Sequence, residues 1–157
     1  MTESNLFLSL GKWAAHQQEN FLTEAFAHLL GHFATAAPSH FASLLEQLTR
    51  GRLRPPVATI ADFEVVTQLS TDRGAPDLAI SGPEHFALVE VKDRSPVAPS
   101  QLKRYDKLIE EDDRESKCLV LLTRDHASPP DLRWLVEPVR WYQVSEWLGA
   151  FRARGDL

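Results

Sequence analysis

One cysteine, Cys118, is all that the 157 residues contain. It can build no disulfide framework, and its place in the apolar run "CLVLLT" predicts a buried, inert thiol, so a reducing cytoplasm is the expected setting. Long hydrophobic runs are missing too. No stretch approaches the ~20 apolar residues that span a bilayer. Met1 to Leu10 has neither a basic start nor an apolar core, so no membrane segment and no signal peptide are expected. Positive charge is in deficit: 17 Lys and Arg stand against 22 Asp and Glu, a net charge of −5. Binding to nucleic acid through bulk electrostatics is thereby excluded, and any such contact must come from a local patch or a partner. Glycine-rich phosphate loops and nucleophile elbows are absent. His28 and His32 have the spacing of a zinc pair, but without the H-E-x-x-H glutamate they read, with Glu24, as the polar side of a helix.

What is present is an ordinary globular composition, 43% hydrophobic and 25% charged, without repeats, low-complexity tracts or a linker. One domain over 1–157 is expected, long enough to bury a core unaided. Helical spacing of Leu22, Phe26, Leu29, Leu30 and Phe33 predicts a helix over Lys12 to Phe33. A second, Pro38 to Arg50, carries Phe41, Leu44, Leu45 and Leu48 on one side. "GRLRPPVAT" is a loop, because Pro55-Pro56 cannot continue a helix. Strands are expected at "DFEVVTQLS", "PDLAIS" and "HFALVEVK", the last two forming a hairpin across Gly82-Pro83. Helical spacing returns from Ser100 to Arg114. "CLVLLT" then reads as a strand covered on both faces, "VRWYQV" as a last strand, and Ser145 as the cap of a closing helix through Phe151. The expected fold is an α/β sandwich around a mixed sheet. Trp134, Trp141 and Trp147 are expected to pack the last strand and helix onto the sheet, with a dimer surface as the other use. The run Glu110 to Asp113 reads as a solvated helix end.

The hairpin "GAPDLAISGPEHFALVEVKDRS" carries charge where apolar residues belong. Side chains alternate along a strand, so Phe86, Leu88, Glu90 and Lys92 share one face while Ala87, Val89 and Val91 share the other. Glu90 and Lys92 therefore emerge together, roughly 6.7 Å apart along the strand. Asp77 opens the partner strand, which a hairpin brings beside the end of the Glu90 strand. Two carboxylates converging there suit a hard cation such as Mg²⁺, which polarises phosphate and acidifies water, with an ammonium beside it to orient the water or to stabilise developing charge. That is the chemistry of phosphodiester hydrolysis.

Pro76-Asp77, Glu90 and Lys92 resemble the motif of the PD-(D/E)XK nucleases, the restriction-endonuclease-like superfamily. Glu115-Ser116-Lys117 and Pro130-Asp131 repeat fragments of the pattern but lack the hairpin and occur in the wrong relation to each other. Members of this superfamily often place a glutamate on the first helix near the metal, and "QQENFLTEAF" offers two. Glu19 lies within roughly 40° of the centre of the apolar stripe, whereas Glu24 points nearly opposite, so Glu19 is chosen; its structural alternative is a glutamate favoured by the dipole near a helix start. Gln101 and Tyr105, one helical turn apart, resemble the Q-x-x-x-Y element of RecB-like and lambda-exonuclease-like members, where the glutamine lies near the site and the tyrosine approaches nucleic acid. Tyr105 also fits a core position beside Leu102, Leu108 and Ile109, and both readings stay open. Lys103, Arg104 and Lys107 on the same helix form a basic face that either follows a phosphate backbone or is simply solvated.

The resemblance implies a metal-dependent nuclease acting on nucleic acid, with DNA ahead of RNA. Asp77 and Glu90 hold Mg²⁺ or Mn²⁺, the Val91 carbonyl is a further ligand, and Glu19 completes or extends the site. Lys92 assists the attacking water and Gln101 supports the lysine or the substrate. Bacterial defence or DNA repair is the setting such folds commonly serve. The small acidic chain suggests reliance on a homodimer or a protein partner. Two rivals belong to other classes. One is a catalytically silent domain of the same fold that binds nucleic acid or protein. The other is a structural subunit presenting its aromatic C-terminal region.

Overall fold

The computed structural model describes residues 6–155, with side-chain surroundings given from residue 17 onward. The chain begins with α1 (Leu6–Ala36) and α2 (Pro38–Leu48), then a short 3-10 helix over Val57–Asp62. β1 (Glu64–Thr67), β2 (Leu78–Ser81) and β3 (His85–Lys92) follow, then α3 (Pro99–Glu111), β4 (Ser116–Thr123), β5 (Val139–Arg140) and α4 (Trp141–Ala153). The five strands lie in the order β1-β2-β3-β4-β5. β1, β2 and β3 are antiparallel neighbours, while β3, β4 and β5 run parallel, so α3 is the crossover of a βαβ unit. The protein is α/β, a mixed sheet flanked by helices.

Alternation on the strands decides which helix covers which face. Leu78, Ile80, Ala87, Val89, Val91, Val120 and Leu122 point to the side packed by α1, α2 and α4. Ala79, Phe86, Leu88, Leu119 and Leu121 point to the side packed by Leu102, Tyr105 and Ile109 of α3. β3 and β4 are therefore buried on both faces, which is why their sequences show almost no polar alternation. α2 buries Phe41, Leu44, Leu45 and Leu48, a single stripe at helical spacing, each worth roughly 1.5–3 kcal/mol of transfer free energy. Cys118 is buried in β4, and burial pushes its thiol up to about 12. No helix among the described residues is long and apolar enough to cross a membrane.

Several boundaries differ from expectation for identifiable reasons. α1 starts at Leu6 and reaches Ala36, so Glu19 lies mid-helix and the helix-start reading of that residue does not apply. Asp62 ends the 3-10 helix, and Gln68, at φ 50°, turns the chain out of β1, leaving a strand of four residues. The last strand is only Val139–Arg140. Its expected continuation is the first turn of α4, where the Gln143 side chain accepts from the Arg140 backbone N–H at 3.0 Å, so Ser145 lies inside the helix and caps nothing. Trp141 on that turn meets Phe26 of α1 edge-on at 5.5 Å, and Trp147 packs on the same core. Trp134 instead lies against the α3-side core, with Lys117 and Arg133 each 4.8 Å from its ring. At the β2–β3 turn, Gly82 admits no side chain, because a Cβ would stand 2.5 Å from the Phe63 ring.

Candidate active site

The β2–β3 register pairs Leu78 with Val89, and one further rung sets Asp77 opposite Glu90 on the α3 side of the sheet. Opposed residues in an antiparallel pair share a face, so two carboxylates converge where the ladder ends. The β1–β2 ladder also runs past its strand ends, with the Gln68 N–H donating to the Asp77 carbonyl at 3.0 Å. Asp77 is then held from both sides: its Oδ2 accepts from the Val91 N–H at 2.8 Å, and its Oδ1 accepts from the Gln68 side-chain amide at 3.0 Å.

Glu90 and Lys92 emerge together on β3, as the alternation predicts. The Lys92 ammonium stands 3.0 Å from Glu90 Oε1, with both side chains largely buried. Glu90 Oε2 is buried without a hydrogen-bond partner. Burial, and then the charge of Asp77, push the Glu90 carboxyl up to about 7 against the pull of Lys92. Burial acts to lower the Lys92 ammonium, yet Glu90, Glu19 and Asp77 together raise it. The two ends of the pair respond alike in direction but not in meaning. Three carboxylates surround one ammonium, so the lysine gains while the deepest acid is left short of positive charge.

Glu19 reaches the same region from α1. Its Oε2 accepts from the Asp93 N–H at 2.9 Å and from the Ser95 hydroxyl at 2.6 Å, pinning the turn that follows β3. Its side chain is buried, and Thr23 one turn on bonds back to its carbonyl at 2.9 Å. Glu19, Asp77, Glu90, Lys92 and Gln101 all line one cleft of about 430 Å³, shared with Asn20, Glu24, Gln68 and Ala75. Glu24 was expected to point away from the site. It is exposed, and it lines this cleft as well. A larger groove of about 760 Å³ shares Glu24 and runs on along α1 and β1 past His28 and His32. Its remaining lining is mostly apolar, whereas the smaller cleft gathers the charged side chains.

The residues of α3 divide differently from the expectation. Gln101 lines the cleft and its amide donates to the Tyr105 hydroxyl at 3.2 Å. Tyr105 is 1% exposed and belongs to the core beneath α3, the core position being one of the two readings its spacing left open. Its ring supports the β1–β2 connection: at Gly74, φ 123°, a Cβ would lie 3.3 Å from it. Arg104 donates to the Arg73 carbonyl at 3.2 Å, and Arg73 pairs with Glu111. Lys107 stands 3.7 Å from Glu110. Lys103 is exposed. The basic face of α3 is thus partly engaged in docking the loop that carries Asp77. Val91 contributes its N–H to Asp77 while its side chain is in the core.

Among the described residues no three His, Cys, Asp or Glu side chains are close enough together to form a ready metal cage. The donor types nonetheless fit a hard divalent ion. Asp77 and Glu90 supply carboxyl oxygens, one of them buried and unbonded, and acidic side chains outnumber basic ones around the cleft. Gln68 and the Asp93–Ser95 turn carry no signal in the sequence, and Glu24 is the glutamate that the helical spacing set aside. Gln68 meets Asp77 only through the β1–β2 register, and the turn meets Glu19 only through the packing of α1 on the sheet. Comparison with family models, with curated proteins and with solved structures found no match for this chain.

Proposed function

We propose that the protein is a metal-dependent nuclease of the PD-(D/E)XK kind, with a restriction-endonuclease-like arrangement of its sheet, acting on nucleic acid and on DNA ahead of RNA. The observation that carries this reading is the gathering of Asp77, Glu90, Lys92, Glu19 and Gln101 from α1, β3, α3 and the β1–β2 connection around one cleft. Asp77 and Glu90 would hold Mg²⁺ or Mn²⁺, with the Val91 carbonyl as a further ligand. Glu19 adds charge and keeps the turn after β3 in place. When bound, the ion polarises a phosphate and acidifies water. Lys92, its proton held by three acidic neighbours, is a donor and a positive charge rather than a base; it steadies the charge that develops on the phosphate oxygens. Gln101, held by its hydrogen bond to Tyr105 one turn along the same helix, faces the cleft and supports the lysine or the substrate.

The test is titration calorimetry with Mn²⁺, followed by cleavage of single- and double-stranded DNA and RNA with Mg²⁺ or Mn²⁺ and an EDTA control. Metal binding and EDTA-sensitive cleavage are expected, and cleavage that survives EDTA overturns the mechanism. A second reading, a silent domain of the same fold that binds nucleic acid or protein, is favoured by one observation: Glu90 Oε1 already has a partner of opposite charge in Lys92, at 3.0 Å. It predicts no Mn²⁺ binding.

A further inference from the structure

We propose that Gln68 is a positioning residue of this site, holding the Asp77 carboxylate in the orientation that faces Glu90; the proposal deepens the nuclease reading and rests on it. Gln68 approaches Asp77 twice, through its backbone N–H to the Asp77 carbonyl and its side-chain amide to Oδ1, both at 3.0 Å. It adopts φ 50°, a left-handed conformation unfavourable for a glutamine, at the point where β1 ends. Gln68 also lines the cleft itself. Each oxygen of Asp77 therefore has one donor, Gln68 for Oδ1 and the Val91 N–H for Oδ2 at 2.8 Å. A carboxylate so held cannot rotate freely, and its lone pairs stay directed into the cleft. Removal of the amide leaves the Val91 bond as a single pivot.

Two variants separate the side chain from the backbone. Gln68→Ala removes the amide and keeps the strained φ, while Gln68→Gly removes the amide and relieves the strain. Two readouts are taken on each folded protein: Mn²⁺ affinity by calorimetry, and amide hydrogen exchange at Val91 compared with Val89 on the same strand. Both variants are expected to weaken Mn²⁺ binding by roughly two- to tenfold, the range of a single net hydrogen bond. Both should quicken exchange at Val91 by a similar factor and leave Val89 unchanged. Unchanged Val91 exchange overturns the proposal whatever the metal does, and so does faster exchange with wild-type Mn²⁺ affinity. Weakening confined to Gln68→Gly assigns the effect to the backbone and also overturns it. If the wild-type protein binds no Mn²⁺, the nuclease reading fails, while the Val91 exchange still decides whether Gln68 holds Asp77.

Discussion

At the scale of single residues, Glu90 ties stability to the site. Between its ordinary value of 4.5 and about 7 the folded chain keeps a proton that the unfolded chain has released. Stability therefore falls as pH rises through that window, by roughly 3 kcal/mol in all. Glu90→Gln, which carries no charge to bury, should abolish this decline and melt above wild type at pH 8; calorimetric scans at pH 5, 6.5 and 8 measure it, and parallel declines would exclude Glu90 as the group responsible. Proton and metal compete for the same carboxylate, so Mn²⁺ should bind wild type more tightly at pH 8 than at pH 6, and Glu90→Gln weakly at both. Lys92 has the opposite separation. Lys92→Ala should depress cleavage by roughly 10²–10³-fold, the usual loss of a transition-state donor, while Mn²⁺ still binds. Because Lys92 also restrains the rise of Glu90, that binding should shift to higher pH. A Lys92→Ala enzyme as fast as wild type rules out the assigned role.

At the scale of elements, α1 and the β1–β2 connection hold the cleft together from opposite sides. Glu19→Gln loses the charge that accepts two donors from the Asp93–Ser95 turn, at a cost of roughly 1–3 kcal/mol. Glu24→Gln, on an exposed side chain, should stay within about 0.5 kcal/mol of wild type. Urea denaturation compares them, and Mn²⁺ titration should rank them in the same order. Equal effects would place Glu19 outside the site. α3 supports the connection through Tyr105 under Gly74, so Gly74→Ala forces a strained φ and a tight ring contact together, costing roughly 1–3 kcal/mol. Tyr105→Phe keeps the ring and loses only the bond to Gln101, so it should cost less; thermal melts of both variants decide.

At the scale of the whole molecule, charge limits how nucleic acid can be held. The net charge is −5, and two of the three basic residues on α3 already have partners, Arg104 on the Arg73 carbonyl and Lys107 beside Glu110. Few phosphates can be neutralised at once. A plot of log affinity against log salt for duplex DNA, measured by fluorescence anisotropy, should have a shallow slope of about −1 to −3. A steep slope would mean a basic surface elsewhere. Lys103→Ala should make the slope shallower by roughly one unit if Lys103 meets a phosphate.

Local pattern alone determined much of this protein. Alternation set Glu90 and Lys92 on one face of "HFALVEVK", the residues of β3 without adjustment, because a two-residue period depends on nothing beyond the strand itself. Helical spacing likewise marked the buried stripe of α2 and chose Glu19 over Glu24 as the inward carboxylate. What depends on contacts between distant segments was decided only by the tertiary structure. "WYQV" has the composition of a strand, yet Trp141 packs on Phe26 and Gln143 caps Arg140, so it became the start of α4. Tyr105 suited the core and the surface equally by its spacing, and the loop closing over it at Gly74 buried it. Gln68 carried no signal, because it reaches Asp77 nine residues away by strand register, and register is a property of two strands together.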